Sequence, residues 1–316
     1  MNTPNTVTTG GQSVRGARLR LLARGWRQNW AVFVETRIGL FGLAIIVLYM
    51  VMAVAHPVLM RTVWDERTYD PVIGYAFGQT EQPAPPSWRH PLGTDPLGRD
   101  ILSQLMHSAR SEFLLGLMAA VVTVGIGTIV GAVTAYYGGV VEALLMRLAD
   151  IMIMMPFISV LVVVSALIGV DHLELAIIIG LLSGFGATGV VLKSLALSIT
   201  VKPFIEAARI AGGSPFHIIM VHIVPNLLPL AFLYMMFTVT SAIFSEAVLS
   251  YLGLLDVRMS WGVMIHTTES AGYLLQFGSA WWLIFPASLS ITMLCSSFYL
   301  VGRSLDEVVN PRLRRS

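Results

Sequence analysis

The chain has 316 residues, of which 55% are hydrophobic and 12% are charged, and its formal net charge is +2. Soluble domains have about 25% charged residues, so this composition indicates an integral membrane protein. The single cysteine excludes an intrachain disulfide and a cysteine metal cluster. The near-neutral charge, without a basic stripe interleaved with aromatic residues, argues against nucleic-acid binding.

The amino-terminal part of the chain predicts a basic tail followed by a membrane anchor. Residues 1–37 are polar and then rich in arginine, and the apolar run 38–59 follows. That run is long enough to span a bilayer, which takes about 20 helical residues. It begins far from the first residue and lacks a small-residue cleavage site, so a cleaved signal peptide is disfavoured. We expect a retained tail and a first transmembrane helix.

A proline-rich segment of mixed charge, residues 60–111, predicts an extracytoplasmic loop with little regular structure. Near its end lies the run Gly93-Thr94-Asp95-Pro96. Thr94 or Asp95 supplies a cap oxygen and Pro96 suits a first helical turn. The motif therefore predicts a structural cap on a helix that begins near Asp95 or Pro96 and leads into the second span.

Five further apolar runs bring the prediction to six transmembrane helices in an all-α fold. They cover residues 112–136, 143–169, 173–196, 228–252 and 279–302. The transmembrane core is thus 112–303, and a short tail follows at 304–316. The glycines of GIGTIVGAVTAYYGG predict close helix packing in lipid in preference to a pore.

The distribution of basic residues predicts the orientation, because Lys and Arg favour cytoplasmic segments. Most of them lie in the two tails or beside the segment 202–229. We therefore expect both termini and this segment in the cytoplasm, and the 60–111 loop outside.

The segment 202–229 reads KPFIEAARIAGGSPFHIIMVHIVPNLLP and predicts helix, turn, helix. Gly212 and Gly213 end the first helix, and Ser214 with Pro215 suits the cap and first turn of the second. The first helix has apolar residues at helical spacing, with small side chains that allow a partner to approach closely. These are Phe204, Ala207, Ala208 and Ala211. No catalytic pattern is present here, so we interpret the segment as a docking element for another protein.

Few ionisable residues fall within the predicted spans. Glu246 is the deepest acid, and we interpret it as a structural hydrogen-bond partner that helps organise an outward gate, with substrate contact as the alternative. Arg147 and Asp150 are three residues apart and predict a local ion pair in preference to a gating pair. His217 and His222 lack the spacing of a zinc motif, so no metal site is predicted.

Residues that contact substrate cannot be assigned from the sequence. Methionine and aromatic side chains suit a permissive pore, yet contact with lipid or other helices is the default interpretation for the candidate set. The set is Met152, Met154, Met155, Phe157, Tyr234, Met235, Met236 and Phe237.

The segment 202–229 resembles the EAA loop of type I importer permeases of the ATP-binding cassette superfamily. The family pattern is Glu-Ala-Ala, three residues, Gly, nine residues, Ile, one residue, Leu-Pro. The matching positions are Glu206, Ala207, Ala208, Gly212 and Pro225. Two positions differ, because His222 replaces the isoleucine and Val224 replaces the leucine.

Further blocks resemble the peptide and nickel subfamily, of the OppC or DppC type, over residues 30–316. They are HPLGTDPLGRDILSQLMHSARSEF at 90–113, EAVLSYLGL at 246–254, SWG at 260–262, WWLIFP at 281–286 and LDEVVNPRLRR at 305–315. The spacer in LGLLDVRMSWG departs from the subfamily by lacking prolines.

This resemblance implies a MetI-like permease fold in the inner or plasma membrane, surrounded by lipid, with a cytoplasmic coupling helix. It implies as partners a second permease subunit of the OppB or DppB type, two cytoplasmic ATPase subunits and an extracytoplasmic substrate-binding protein. It assigns contact with the ATPase to Glu206, Ala207, Ala208, Gly212, Gly213 and Pro225.

Neither of the two lysines, Lys193 and Lys202, follows the glycines of a phosphate-binding GxxxxGK[ST] loop. We therefore expect a non-catalytic subunit that binds no cofactor itself, with ATP and Mg²⁺ on the partner ATPases.

The function that follows is import of di- or oligopeptides, driven by ATP hydrolysis on partner subunits. The same machinery importing oligosaccharides or nickel is the alternative within the family. An ion-coupled secondary transporter is the alternative from another class. It requires ionisable groups or broken helices near the bilayer midplane, whereas the charges of this chain cluster at the ends of the predicted spans.

Overall fold

The computed structural model describes residues 33–78, 81–276 and 278–309. Within these ranges the chain is helical, and extended pairing is confined to two isolated bridges. Residues 1–32 and 310–316, which hold most of the two predicted tails, lie outside the described residues.

The described helices are numbered in chain order as follows: α1 (Arg37–Thr62), α2 (Glu66–Tyr69), α3 (Ile101–Tyr137), α4 (Gly139–Met154), α5 (Phe157–Ile168), α6 (His172–Thr200), α7 (Pro203–Ile210), α8 (Pro215–Tyr251), α9 (Trp261–Ser270) and α10 (Phe285–Val309). In the described ranges, five of them are long and apolar enough to cross a membrane, namely α1, α3, α6, α8 and α10. Counting the bent pair α4 and α5 as one span gives six, which agrees with the predicted number.

The third predicted span, 143–169, is not a single helix. α4 ends at Met154 and α5 begins at Phe157, and their axes are bent by 84°. Proline lacks an N–H and disfavours helical geometry in the residue before it, and Met155 accordingly has φ −71° and ψ 130° ahead of Pro156. The prediction of one continuous helix here was wrong, and the Met-Pro pair explains the corner.

The helix that forms the second span begins later than predicted. α3 starts at Ile101, and its cap is Asp100, whose carboxylate accepts a hydrogen bond from the Ser103 N–H at 2.7 Å. The assignment of the cap to Thr94 or Asp95 was therefore wrong. With 37 residues, α3 is about 55 Å long at 1.5 Å per residue. It therefore extends well beyond a hydrocarbon core of about 30 Å.

α3 lies at the centre of the bundle, where it contacts α1, α6 and α8, while α10 packs against α1 and α8. Its glycines bring α6 close. A Cβ at Gly131 would lie 2.7 Å from the backbone nitrogen of Lys193, and one at Gly127 would lie 2.9 Å from Cγ2 of Thr188. The packing interpretation of the glycine run is confirmed at these two positions.

The bundle has two different ends, which we call the α7 end and the cap end. The α7 end holds α7 between α6 and α8, together with the last residues of α3. The cap end holds the segment 63–100, the start of α3, the end of α8, and α9.

α9 is a helix that the sequence patterns did not predict. Ser260 caps it by accepting a hydrogen bond from the Val263 N–H, and Trp261 is fully buried and donates from its indole N–H to the Leu105 carbonyl at 3.1 Å. The ring of Trp261 also meets that of Tyr49 in α1. These contacts fix the connection between α8 and α10 to the cap end.

Candidate functional site

The predicted helix-turn-helix is confirmed at the α7 end. α7 has Pro203 in its first turn and ends at Ile210, and Gly212 follows with φ +80°. Only glycine adopts such a conformation readily, so the chain reverses there. Ser214 then caps α8 by accepting a hydrogen bond from the His217 N–H at 3.3 Å.

One side chain anchors α7 to the bundle. Ile205 is fully buried in a cluster with residues of α3, α6 and α8. Around it, large apolar side chains face outward. Val201 and Ile210 are each 82% exposed, and Phe216 is 74% exposed. Exposed apolar patches of this kind mark interaction sites.

The residues predicted to contact an ATPase lie on this outward surface. Glu206, Ala207, Gly212 and Pro225 are exposed, while Ala208 and Gly213 are half-buried. Within the described part of the chain, Glu206 makes no ion pair or side-chain hydrogen bond. Its carboxylate is therefore available to donors from outside the chain.

Aromatic contacts connect α7 with its neighbours. The Arg209 guanidinium lies 5.0 Å from the ring centroid of Tyr136, close to the end of α3. On the other side, the ring of His222 in α8 meets the rings of Phe204 and His217, with centroids 6.4 Å and 5.6 Å away. A displacement of α7 would therefore act on α3 and α8 together.

Both spans that flank α7 depart from regular α-helical geometry. In α6 the chain is kinked over Gly184–Thr188, where Gly186 leaves helical geometry at φ −78° and ψ −123°. In α8 a widened π turn covers Ile218–Ile223, and Pro225 follows shortly after. A proline inside a helix removes a backbone donor and clashes with the preceding turn, which accounts for the widening. Such turns are frequent at functional sites.

A cleft of about 420 Å³ opens between α4 and α6. Lys193 and Glu142 form an ion pair across it. Arg147 and Asp150 form the predicted intrahelical pair at 4.0 Å, with both side chains largely exposed. Charged side chains are costly against lipid tails, so this face of α4 is better suited to contact with protein or water.

The predicted methionine and aromatic set is divided between two surroundings. Met154 is 83% exposed beside the corner between α4 and α5, whereas Met235 and Met236 pack against the core cluster shared by α1, α3, α8 and α10. The set therefore does not form one continuous lining.

At the cap end, the HPLGTDPLGRD motif folds over the start of α3. Asp100 also accepts a hydrogen bond from His90 Nδ1 at 2.8 Å, and Asp95 pairs with Arg99 at 2.6 Å and accepts from Gln104 at 2.9 Å. All five side chains are buried. The motif has the structural role that was predicted, but it acts through a different set of contacts.

Tyr69 of α2 extends this network. Its hydroxyl donates to the Arg89 carbonyl at 2.8 Å, and its own carbonyl accepts from Ser103 Oγ. Burial and the nearby Asp100 carboxylate raise the pKa of Tyr69. The hydroxyl therefore stays protonated and able to donate at neutral pH.

The deepest predicted acid belongs to a buried cluster that joins three spans. Glu246 of α8 is fully buried and accepts a hydrogen bond from Ser250 Oγ at 2.6 Å. His172, the first residue of α6, places Nε2 at 3.6 Å from its carboxylate, and Glu112 of α3 is also fully buried beside it. Because Glu246 is closed off within this chain, the structure favours the hydrogen-bonding interpretation over substrate contact.

The sequence patterns did not single out Glu112 and His172. Glu112 is the first residue of a predicted span, and His172 lies one residue before another. The signal that the sequence offered for these two residues was an ionisable side chain at, or directly before, the start of an apolar run. The sequence did not reveal that the two meet Glu246, because the pairing of the spans is a tertiary property. No group of three or more His, Cys, Asp or Glu residues suited to a metal ion is found in the described ranges.

Comparison with known proteins identifies relatives over most of the chain. Residues 124–315 match the family described as binding-protein-dependent transport system inner membrane component. The dipeptide transport system permease protein DppC of Bacillus subtilis (strain 168) is 30% identical over 289 residues, covering 90% of this chain and 85% of the relative.

Two oligopeptide transport system permease proteins OppC are similarly related. The one from Haemophilus influenzae is 35% identical over 228 residues, covering 71% of each chain. The one from Bacillus subtilis (strain 168) is 32% identical over 297 residues, covering 92% of this chain and 90% of the relative.

Proposed function

The chain belongs to the family of inner membrane components of binding-protein-dependent transport systems, and we propose that it is the permease subunit of an ATP-driven importer of di- or oligopeptides. Subunits of this family are non-catalytic transport components. The choice of solute is supported by the names of the relatives, which refer to dipeptide and oligopeptide transport.

The observation that carries the proposed mechanism is the construction of α7. Among the described residues it is held by one buried side chain, Ile205, and it exposes apolar residues and a Glu206 carboxylate that pairs with none of them. A groove on a partner ATPase would cover the apolar side chains and supply donors to the Glu206 carboxylate. Such charge-assisted hydrogen bonds are stronger than neutral ones.

Movement of the ATPase would reach the spans through the contacts of α7. Ile205 lies in the same packed cluster as residues of α3, α6 and α8, and Arg209 contacts Tyr136 of α3. The short turn at Gly212 and Gly213 connects α7 to α8. The three spans would therefore respond together to closure of an ATPase dimer, while the kink in α6 and the π turn in α8 allow these two spans to bend.

We assign the α7 end to the cytoplasm. Arg37 at the start of α1, Lys202 and Arg209 beside or within α7, and Arg303 near the end of α10 all belong to this end, and basic residues favour the cytoplasmic side. Both tails then start from the cytoplasmic face. The cap end faces outward, where an extracytoplasmic substrate-binding protein would deliver the solute.

The second permease subunit would lie against the α4 and α5 side. The exposed Arg147 and Asp150 exclude lipid tails as the neighbour, and the cleft beside Lys193 is open on this side. A translocation path between two such subunits gives these charges water or protein contacts. The chain itself would bind no cofactor, and ATP and Mg²⁺ would reside on two ATPase subunits.

The decisive experiment is purification of the tagged chain from membranes, followed by reconstitution in lipid vesicles. We expect it to copurify with an ATPase and a second permease, and the complex to import labelled di- and tripeptides only with ATP and the binding protein. A panel of oligosaccharides and Ni²⁺ tests the other solutes. Uptake by this chain alone without ATP would overturn the proposal.

A further inference from the structure

The buried cluster at the cap end contains two glutamate side chains, and the hydrogen bonds of the described residues stabilise only one of them as a carboxylate. Glu112 and Glu246 are both fully buried, and their carboxyl groups lie close enough to influence each other electrostatically. Glu246 has two identified polar neighbours, Ser250 and His172. Neither carboxyl oxygen of Glu112 receives a hydrogen bond from a donor group in the described chain.

A proton accounts for this arrangement. Two buried carboxylates side by side repel each other, and an ionised carboxylate without donors is costly to bury. A neutral carboxyl, in contrast, has an O–H that can donate to a neighbouring carboxylate. The environment of Glu246 favours an ionised carboxylate, since Ser250 donates to it and His172 lies beside it. The environment of Glu112, which receives no hydrogen bond from a donor in the described chain, favours a neutral acid.

We propose that Glu112 is a neutral acid that donates its proton to the Glu246 carboxylate, and that this pair and His172 form a clasp which holds the cap ends of α3, α6 and α8 together during transport. Glu112 and His172 would be positioning residues, because both act through Glu246. The transport role of the clasp rests on the proposed function, whereas the position of the proton does not.

The backbone supports a fixed attachment at this point. The residues just before α6 pair with those just after α8, with a bridge between Val170 and Leu255 and a hydrogen bond from the Asp256 N–H to the Val170 carbonyl at 2.9 Å. α6 and α8 are the two spans that flank α7. The clasp therefore joins them at the ends far from α7.

The kink at Gly184–Thr188 and the π turn at Ile218–Ile223 lie between the clasp and α7. A displacement of α7 can be absorbed at these two irregular points while the far ends stay joined. The clasp would then act as the pivot of the movement. Among the described residues, His107 of α3 lies within electrostatic range of His172, and Cys295 of α10 lies within electrostatic range of Glu112.

Infrared difference spectroscopy of the purified complex tests the position of the proton. A protonated carboxyl has a C=O stretching band that a carboxylate lacks. We expect Glu112→Gln to remove one such band relative to wild type and Glu246→Gln to keep it. This pattern supports the proposal, and any other pattern overturns the assignment of the proton to Glu112.

Uptake by reconstituted vesicles tests the clasp, with rates corrected for the amount of assembled complex. We expect Glu246→Gln to lower uptake about tenfold, because it removes a charged acceptor. Glu112→Gln should stay within about twofold of wild type, since an amide N–H replaces the acid O–H. His172→Leu should resemble Glu246→Gln, and His172→Gln should recover part of the loss by restoring a donor.

The matched control is Glu174→Gln, which changes an exposed acid on the same helix and keeps a residue type that suits its capping box. Its uptake should equal that of wild type. Wild-type uptake by both Glu246→Gln and His172→Leu would overturn the clasp. If the wild-type complex imports no peptide, the proposed function fails, and the infrared result still decides where the proton lies.

Discussion

The two ends of this bundle satisfy their polar groups in opposite ways. At the cap end, His90, Asp95, Arg99 and Asp100 are buried and paired with one another. At the α7 end, Glu206 is exposed and without a partner in the described chain, beside exposed apolar side chains. Buried polar groups need partners within the fold, whereas exposed ones can await another molecule. The His90–Asp100 and Asp95–Arg99 pairs of the cap end are therefore completed within the fold, whereas the Glu206 carboxylate of the α7 end is left open to another molecule.

The largest expected effect comes from reversing a charge at the α7 end. Glu206→Arg should reduce ATP-dependent uptake by at least about tenfold. The change replaces a carboxylate that can accept charge-assisted hydrogen bonds with a cation that repels basic groups on a partner. Abundance in the membrane should remain normal, since Glu206 makes no side-chain hydrogen bond or ion pair in the described chain that the change would break. Uptake and immunoblots of membranes measure both.

The control for this variant is Glu81→Arg, the same change at an exposed acid of the cap-end segment. Its uptake and its copurification with the ATPase should match wild type. Normal uptake by Glu206→Arg with the ATPase still bound would contradict the docking role of α7.

At the turn after α7, Gly212→Pro should prevent assembly. Proline fixes φ near −65°, and Gly212 has φ +80°, so the chain cannot reverse direction between α7 and α8. The amount of ATPase recovered with the tagged chain measures the loss. Recovery equal to wild type would show that the turn geometry is unimportant for the interface.

Stability should depend most on the cap end. Asp100→Ala removes both the cap of α3 and the partner of His90, which together stabilise the fold by about 2–4 kcal/mol. We expect a lower thermal unfolding midpoint and lower abundance, with the same number of ATP molecules hydrolysed per peptide imported. Asp171→Ala, which removes only an exposed cap, should cost about 1 kcal/mol. Equal midpoints for the two variants would contradict the role of the His90 contact.

A pair of matched glycines separates backbone strain from function. Gly212 at the α7 end and Gly272 after α9 have φ +80° and +81°, and a Cβ at either position would have no neighbouring atom within 4 Å. Alanine at either site should cost about 1 kcal/mol of stability through the same backbone strain. We expect uptake to fall only for Gly212→Ala. Equal uptake by the two variants would contradict a special role of the α7 end in transport.

The smallest effect should come from the contact between Arg209 and Tyr136. A cation–π pair at an exposed site contributes about 0.5–1 kcal/mol of interaction free energy. Tyr136→Leu should therefore lower ATP-dependent uptake by about two- to fivefold. Tyr137→Leu, at the exposed neighbouring position, serves as the control. A double-mutant cycle with Arg209→Met should show that the two changes are not additive. Additive effects would mean that the pair does not transmit movement.

The sequence predicted the helical segments well where length and hydrophobicity decide them. It predicted the break at Gly212 and the cap at Ser214, but it failed at one other break and one other cap. Pro156 splits a continuous apolar run, and the hydropathy of the run hides the corner. Asp100 caps α3 in place of Thr94 or Asp95, because the hydrogen bonds of His90 and Ser103 favour that position. When several acids suit a helix cap, the one that is used depends on hydrogen-bonding residues that the fold brings close to it from elsewhere in the chain.

The candidate coupling residues were found from one local motif, and the buried cluster was not. Glu206 and Gly212 belong to a continuous stretch, so their order in the sequence is enough to identify them. Glu112, His172 and Glu246 lie on three different spans and are far apart in the sequence. Only the packing of α3, α6 and α8 brings these three side chains together.

The sequence by itself thus determined that the chain is an all-helical membrane protein with a helix-turn-helix segment of the importer type, because apolar length and local turn chemistry are properties of consecutive residues. The tertiary structure decided which polar groups are closed off and which remain open. Burial and pairing depend on residues far apart in the chain, so only the folded bundle shows that Glu206 of α7 lies open at the surface and that the far ends of the spans flanking α7 are joined.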